Sequence, residues 1–135
     1  MATEGPLIHD GGQCTAGTNM GSGASLSGYN GTGQFLGVVI SGGRAVVPDT
    51  TGGAVIYGVL LNQPSSGQAA DVGLVGSTKV MAGGTISAGY DLMTNASGQA
   101  VSATSTNHRF GIAIEGGTSG TLVTALIGTA GNRTA

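Results

Sequence analysis

The chain has 135 residues, which is enough for one domain with a modest core. Only 7% of the residues are charged and 4% are aromatic, whereas 28 are glycine, about three times the usual share of roughly 7%. The net charge is −2, with four Lys and Arg in total, and this argues against a nucleic-acid surface, which depends on clustered positive charge. Disordered chains are usually polar and highly charged, so the 39% hydrophobic content favours a folded domain. The many glycines, with β-branched clusters between them, predict short strands joined by tight turns, and therefore an all-β domain.

We also expect neither a secretory signal nor a membrane-spanning segment in this sequence. The sequence does not begin with a basic stretch followed by an apolar run, so we expect no secretory signal. Its longest nearly apolar stretch, AVIYGVLL at 54–61, is too short to cross a bilayer, so no membrane partner is expected. A single cysteine, Cys14, cannot form an internal disulfide. These features predict a protein made in a cytoplasm.

Residues 1–33 differ in composition from the rest of the chain. They contain nine glycines, no Lys or Arg, and only isolated hydrophobic side chains. Neither a helical nor a strand period is present there, which predicts an extended glycine-rich arm. The arm is either a disordered tail or a segment that becomes ordered on a partner through its isolated hydrophobes.

Strand signals begin at residue 34, and we assign 34–129 to a β domain, with 130–135 as a flexible C-terminal tail. FLGVVI (35–40) and AVVP (45–48) predict a hairpin with Gly42 and Gly43 at its turn. For residues 65–70, a short helix is an alternative to a loop. Turn signals recur every 8–12 residues, a spacing typical of a small β-barrel or sandwich.

Two segments about fifty residues apart are similar. Tyr57-Gly58-Val59 aligns with Phe110-Gly111-Ile112, and at the same offset Ser66-Gly67 aligns with Ser119-Gly120. Each copy reads as strand, glycine-bearing loop, strand, and a glycine after the aromatic residue suits a bend or a close backbone approach. This pattern indicates a duplicated hairpin, although chance similarity in a biased composition remains the alternative.

Residues that could carry chemistry are sparse. His9, Asp10 and Cys14 lie close in sequence, but metal sites draw three or four ligands from an ordered scaffold. We therefore expect no metal and no cofactor. Ser105 or Ser119 beside His108 would have only Glu115 or Asp91 to orient the base, and polar turn residues explain these positions better. We expect no enzymatic activity, and the small, weakly charged surface favours a structural or interaction protein.

From residue 33 to residue 128 the chain resembles the small capsid decoration, or cement, proteins of tailed bacteriophages. The resemblance depends on the order of several motifs, and ISAGYDLMTNASGQAV carries the most weight. The motifs are GVV (37–39), YGVLL (57–61), VGLVG (72–76), ISAGYDLMTNASGQAV (86–101) and FGIAIEGGTSGTLVTALI (110–127).

The resemblance implies a β-tulip-like barrel that binds the outside of the assembled virion head without catalysis. Its expected partners are the major capsid protein and further copies of itself, as a homotrimer or a dimer. The N-terminal arm would become ordered on the capsid or on a neighbouring subunit, with Leu7, Ile8, Leu26 and Tyr29 as anchors. The protein would be made in the host bacterial cytoplasm and would end on the outer capsid surface.

Two other functions remain open. One is an exposed virion domain that binds host-surface glycans, although few aromatic residues are available for sugar stacking. The other is a subunit of a tail or fibre, which differs from a decoration protein by open-ended self-association instead of closed oligomers.

Overall fold

The computed structural model describes residues 7–10, 14–48, 52–104 and 108–128. The predicted tail at 130–135 lies outside these residues. In the described part, the structure contains strands, turns and one short 3-10 turn at Tyr29–Gly31, and no α-helix. The strands are β1 Leu7–His9, β2 Cys14–Thr15, β3 Gly37–Ser41, β4 Arg44–Val46, β5 Gly58–Leu60, β6 Ala69–Ala70, β7 Val72–Met81, β8 Asp91–Thr94, β9 Ala100–Ser102, β10 Gly111–Ala113 and β11 Leu122–Ile127.

One curled antiparallel sheet forms the body of the molecule. Its pairing order is β4-β3-β5-β7-β11-β10-β8-β9, with β1 added to β7, while β2 and β6 form a separate two-stranded sheet. The long strand β7 is central, because it pairs with β5 near its start and with β11 over its second half. A bridge between Ala82 and Ala100 connects the end of β7 to the terminal strand β9. The all-β prediction and the small-barrel class are confirmed.

The predicted hairpins are present. Strands β3 and β4 pair across Gly42 and Gly43, whose φ angles of 60° and 78° are those of a type I′ turn. Strands β10 and β11 form the last hairpin. The helix left open at 65–70 does not form: this segment turns and ends in β6.

The duplicated segments adopt the same register. Val59 pairs with Gly73 in the first copy, and moving both positions by 53 residues gives Ile112 and Leu126, which are paired in the second. The next pair along, β5 Leu60 with β7 Val72, corresponds in the same way to Ala113 with Ala125. The two copies are therefore equivalent hairpins.

Two hydrophobic clusters fill the interior. The first lies among β7, β8, β10 and β11, and the second lies where the N-terminal segment covers β3, β5 and β7. Ala16 and Met20, from the predicted arm, are fully buried in the second cluster. The described residues of the arm thus lie on the body of their own chain, while a contact with a capsid or a neighbouring subunit stays a prediction.

Candidate interaction surfaces

The first two predicted anchors, Leu7 and Ile8, lie on β1. Leu7 is half-buried and packs against the first hydrophobic cluster, with its Cδ2 atom at 3.0 Å from the position a Cβ would take at Gly73. Ile8 is 62% exposed and lies opposite Val75 of β7, which is itself 43% exposed. Opposed residues of an antiparallel pair share a face of the sheet, so Ile8 and Val75 form an exposed apolar pair.

Polar contacts hold the chain where it leaves β1. The His9 Nδ1 atom lies 3.1 Å from the Asp71 carboxylate, and both side chains are about two-fifths exposed. The Asp10 carboxylate accepts hydrogen bonds from the Val72 amide at 3.2 Å and from the Tyr57 hydroxyl at 3.4 Å. Residues 9 and 10 are therefore held by contacts to Asp71, to the first residue of β7 and to the residue before β5.

Tyr57 has an altered acidity in this setting. Burial raises the pKa of Tyr57 to about 12, and the neighbouring Cys14 thiol and Asp10 carboxylate add to the increase. A deprotonated phenol would lose water contacts and face a carboxylate, so the neutral form is favoured. Cys14 itself is half-buried against the second hydrophobic cluster.

The other two predicted anchors lie in the loop before β3. Leu26 is half-buried against the second cluster, and its amide donates to the Gly31 carbonyl at 2.7 Å. Tyr29 is 43% exposed, and its ring meets the Phe35 ring edge-on at a centroid distance of 6.2 Å. Phe35 has a positive φ of 66°, which is uncommon for a bulky residue, and its ring faces the Lys79 Nζ atom at 5.6 Å. The structure thus leaves Ile8 and Tyr29 accessible to a partner, while Leu7 and Leu26 pack within the chain.

The described residues form a groove of about 850 Å³. Six separate parts of the chain form it, with apolar side chains and hydroxyl groups on its walls and no charged or aromatic side chain among the described residues that line it. Sequence patterns could not reveal this groove, because its walls come together only in the folded sheet. Its lining residues are Thr18, Ser25, Leu26, Ser27, Val39, Ser41, Val46, Val47, Pro48, Ala54, Val55, Ala96 and Ser97.

Two carboxylates considered for chemistry, Asp91 and Glu115, make structural contacts within the chain. Asp91 forms a close ion pair with Arg109, and Glu115 accepts a hydrogen bond from the Thr124 hydroxyl at 2.9 Å. Ser119 is exposed in the turn between β10 and β11, and Ser105 lies outside the described residues. Within the described ranges, no three His, Cys, Asp or Glu side chains are grouped as metal ligands. Likewise, none of the described segments forms a helix long and apolar enough to span a membrane.

Comparison with models of protein families and with curated proteins finds no match. Among solved structures, the chain is similar to the N base of the head fiber gp8.5 of bacteriophage phi29. The two are 20% identical, the alignment covers 90% of this chain and 92% of the other, and the TM-score is 0.58. The likeness therefore extends over nearly the whole of both chains and concerns the fold.

Proposed function

We propose that this protein is a non-enzymatic structural component of a bacteriophage head, which binds the outer capsid surface and stabilises the lattice of the major capsid protein. The observation that carries the proposal is the shared fold with a head-fiber base along 90% of the chain. The order of motifs from residue 33 to residue 128, which resembles that of phage decoration proteins, supports it independently. A surface poor in charge suits broad contacts with a protein lattice.

Binding as a homotrimer would make weak contacts effective. Three equivalent subunits that bridge neighbouring capsid proteins act at a high local concentration, so each contact can be weak while the whole remains attached. Such a bridge opposes separation of the capsid subunits under internal pressure. We propose Ile8 and Tyr29 as direct contacts, because both are substantially exposed, and Leu7 and Leu26 as the residues that hold the segment in place.

The test is co-sedimentation of the full-length protein with expanded, undecorated heads. Saturable pelleting supports the proposal, and protein that stays in the supernatant as a discrete oligomer would overturn it. Deleting residues 1–33 is unsuitable as a probe, because it removes the fully buried Ala16 and Met20. The substitutions Ile8→Ser and Tyr29→Ala should weaken pelleting instead, and Ile114→Ser, at a residue 51% exposed elsewhere, is the matched control.

A second candidate function is the base of a head fibre, and the similarity of fold to the N base of a head fiber favours it. A fibre base would attach to the head without strengthening it. Heads loaded with the protein would then release their DNA at the same temperature as bare heads, whereas a decoration protein would raise that temperature.

A further inference from the structure

The hairpin of β3 and β4 presents two different faces. Val39 lies opposite Val46, and Ser41 lies opposite Arg44, so these four side chains share one face. Three of the four line the groove, and Arg44 continues the same face toward the hairpin tip. The other face carries Ala45, which is fully buried in the second cluster. Arg44 therefore stands at the end of the groove.

Arg44 differs from the other cationic side chains of the described residues. Arg109 is paired with Asp91, His9 contacts Asp71, and the Lys79 ammonium lies over the Phe35 ring. Arg44 is exposed, and the described parts of the chain provide no ion pair for it. Among the described residues, this guanidinium is therefore the positive charge available beside a groove whose described lining is uncharged.

The lining of the groove restricts the chemistry of a ligand. The described residues that line it provide no aromatic ring for sugar stacking and no carboxylate to accept hydrogen bonds from sugar hydroxyls, which disfavours a glycan. Branched aliphatic side chains, among them Val39, Val46 and Val55, provide apolar contact, and serine hydroxyls along the walls can hydrogen-bond to a peptide backbone. A guanidinium binds a carboxylate through two parallel hydrogen bonds.

We propose that this groove binds an extended segment of a head-surface protein, with small or apolar side chains in the groove and one acidic side chain on Arg44. The proposal rests on the proposed function, because it names the feature of the capsid partner that the protein would recognise. Charge complementarity at Arg44 selects a segment with one acidic side chain, and the uncharged described lining disfavours further charges within the groove.

Two substitutions at exposed positions test the groove without disturbing the core. Arg44→Glu reverses the charge, and Ser41→Asp places a carboxylate opposite Arg44, where it competes for the guanidinium. Each should weaken head binding about tenfold or more, because like charges then meet across the contact. Arg44→Lys retains the charge and should lose less. Ser119→Asp introduces the same group in the exposed turn between β10 and β11 and is the matched control.

The readout is the dissociation constant from co-sedimentation with undecorated heads, together with the oligomeric state from analytical ultracentrifugation. Weaker binding by Arg44→Glu and Ser41→Asp, with Ser119→Asp unchanged, supports the groove. If all variants bind like the wild type, the groove assignment is overturned and the proposed function stands. If the wild-type protein does not bind heads, the proposed function fails as well. A change of oligomeric state confined to the two groove variants would identify a second copy as the occupant and overturn the assignment.

Discussion

Met20 shows how a single residue connects the N-terminal segment to the sheet. Its side chain is fully buried and lies against Gly33, while its amide donates to the Pro64 carbonyl at 2.9 Å. We expect Met20→Ala to lower the free energy of unfolding by about 2–5 kcal/mol, because it leaves a cavity in the second cluster. Urea denaturation measures the loss. Ile8→Ala, at an exposed position, should change stability by no more than about 0.5 kcal/mol.

If Met20→Ala also changed stability by no more than Ile8→Ala does, the N-terminal segment would not be part of the folded unit. That result would contradict the packing seen here.

Tyr57 makes stability depend on pH in the alkaline range. Its pKa is raised to about 12 in the folded protein, against an ordinary value of 10.0, so folding favours the neutral phenol. This contribution is fully present below pH 10 and is lost as pH rises from 10 through about 12. We expect the unfolding free energy of the wild type to fall across that window by more than that of Tyr57→Phe. Denaturation series at several pH values measure the difference, and parallel curves for the two proteins would contradict it.

At the scale of elements, the duplicated hairpins depend on equivalent glycines. A Cβ at Gly58 would collide with the Gly73 carbonyl oxygen, and one at Gly111 would lie 2.6 Å from the Leu126 carbonyl oxygen. These two carbonyls correspond under the same 53-residue offset. We expect Gly58→Ala and Gly111→Ala each to lower the unfolding free energy by about 1–3 kcal/mol or more.

Gly84→Ala is the control for this pair. Its nearest neighbour beyond the adjacent residues, the Val101 Cγ1 atom, would lie 3.9 Å from the added methyl group. Stability should then stay unchanged or rise by about 0.4–1 kcal/mol, because the unfolded chain loses freedom. Equal losses for all three variants would mean that the close approach in the two hairpins is not what requires glycine.

The sequence predicts those elements that depend on local signals. The β3–β4 hairpin follows from Gly42 and Gly43 between β-branched residues, and the last hairpin follows from its similarity to the first copy. Strands β1 and β2 could not be predicted, because segments of three and two residues show no periodicity. The burial of Met20 could not be predicted either, because it depends on long-range packing of an isolated hydrophobic residue.

The candidate site can be predicted from the sequence only in part, because most of it depends on long-range packing. Residues 1–33 suggested anchors through their isolated hydrophobes, and the structure places Leu26 both in that segment and on the groove wall. The groove itself combines residues as distant as Thr18 and Ser97, and no sequence pattern connects them. Arg44 carries no distinguishing signal in the sequence. Arg44 stands out only because the other Lys and Arg side chains of the described residues have partners.

At the scale of the whole molecule, strand β7 joins the two hydrophobic clusters. Val72, near its start, belongs to the second cluster, and Val80, near its end, belongs to the first. The same strand carries Val75 of the exposed Ile8–Val75 pair, so this surface lies on a strand that packs into both clusters.

The proposed decoration of the capsid leads to a prediction about the complete head. If the protein decorates the capsid, heads mixed with saturating wild-type protein should release their DNA at a higher temperature than bare heads, because a ligand that binds only the intact lattice stabilises it by mass action. The increase should grow with protein concentration and should be smaller for Arg44→Glu at equal concentration. Release of DNA during heating, followed with a dye that fluoresces on free DNA, provides the measurement. Saturable binding with an unchanged release temperature would contradict decoration and favour the base of a head fibre.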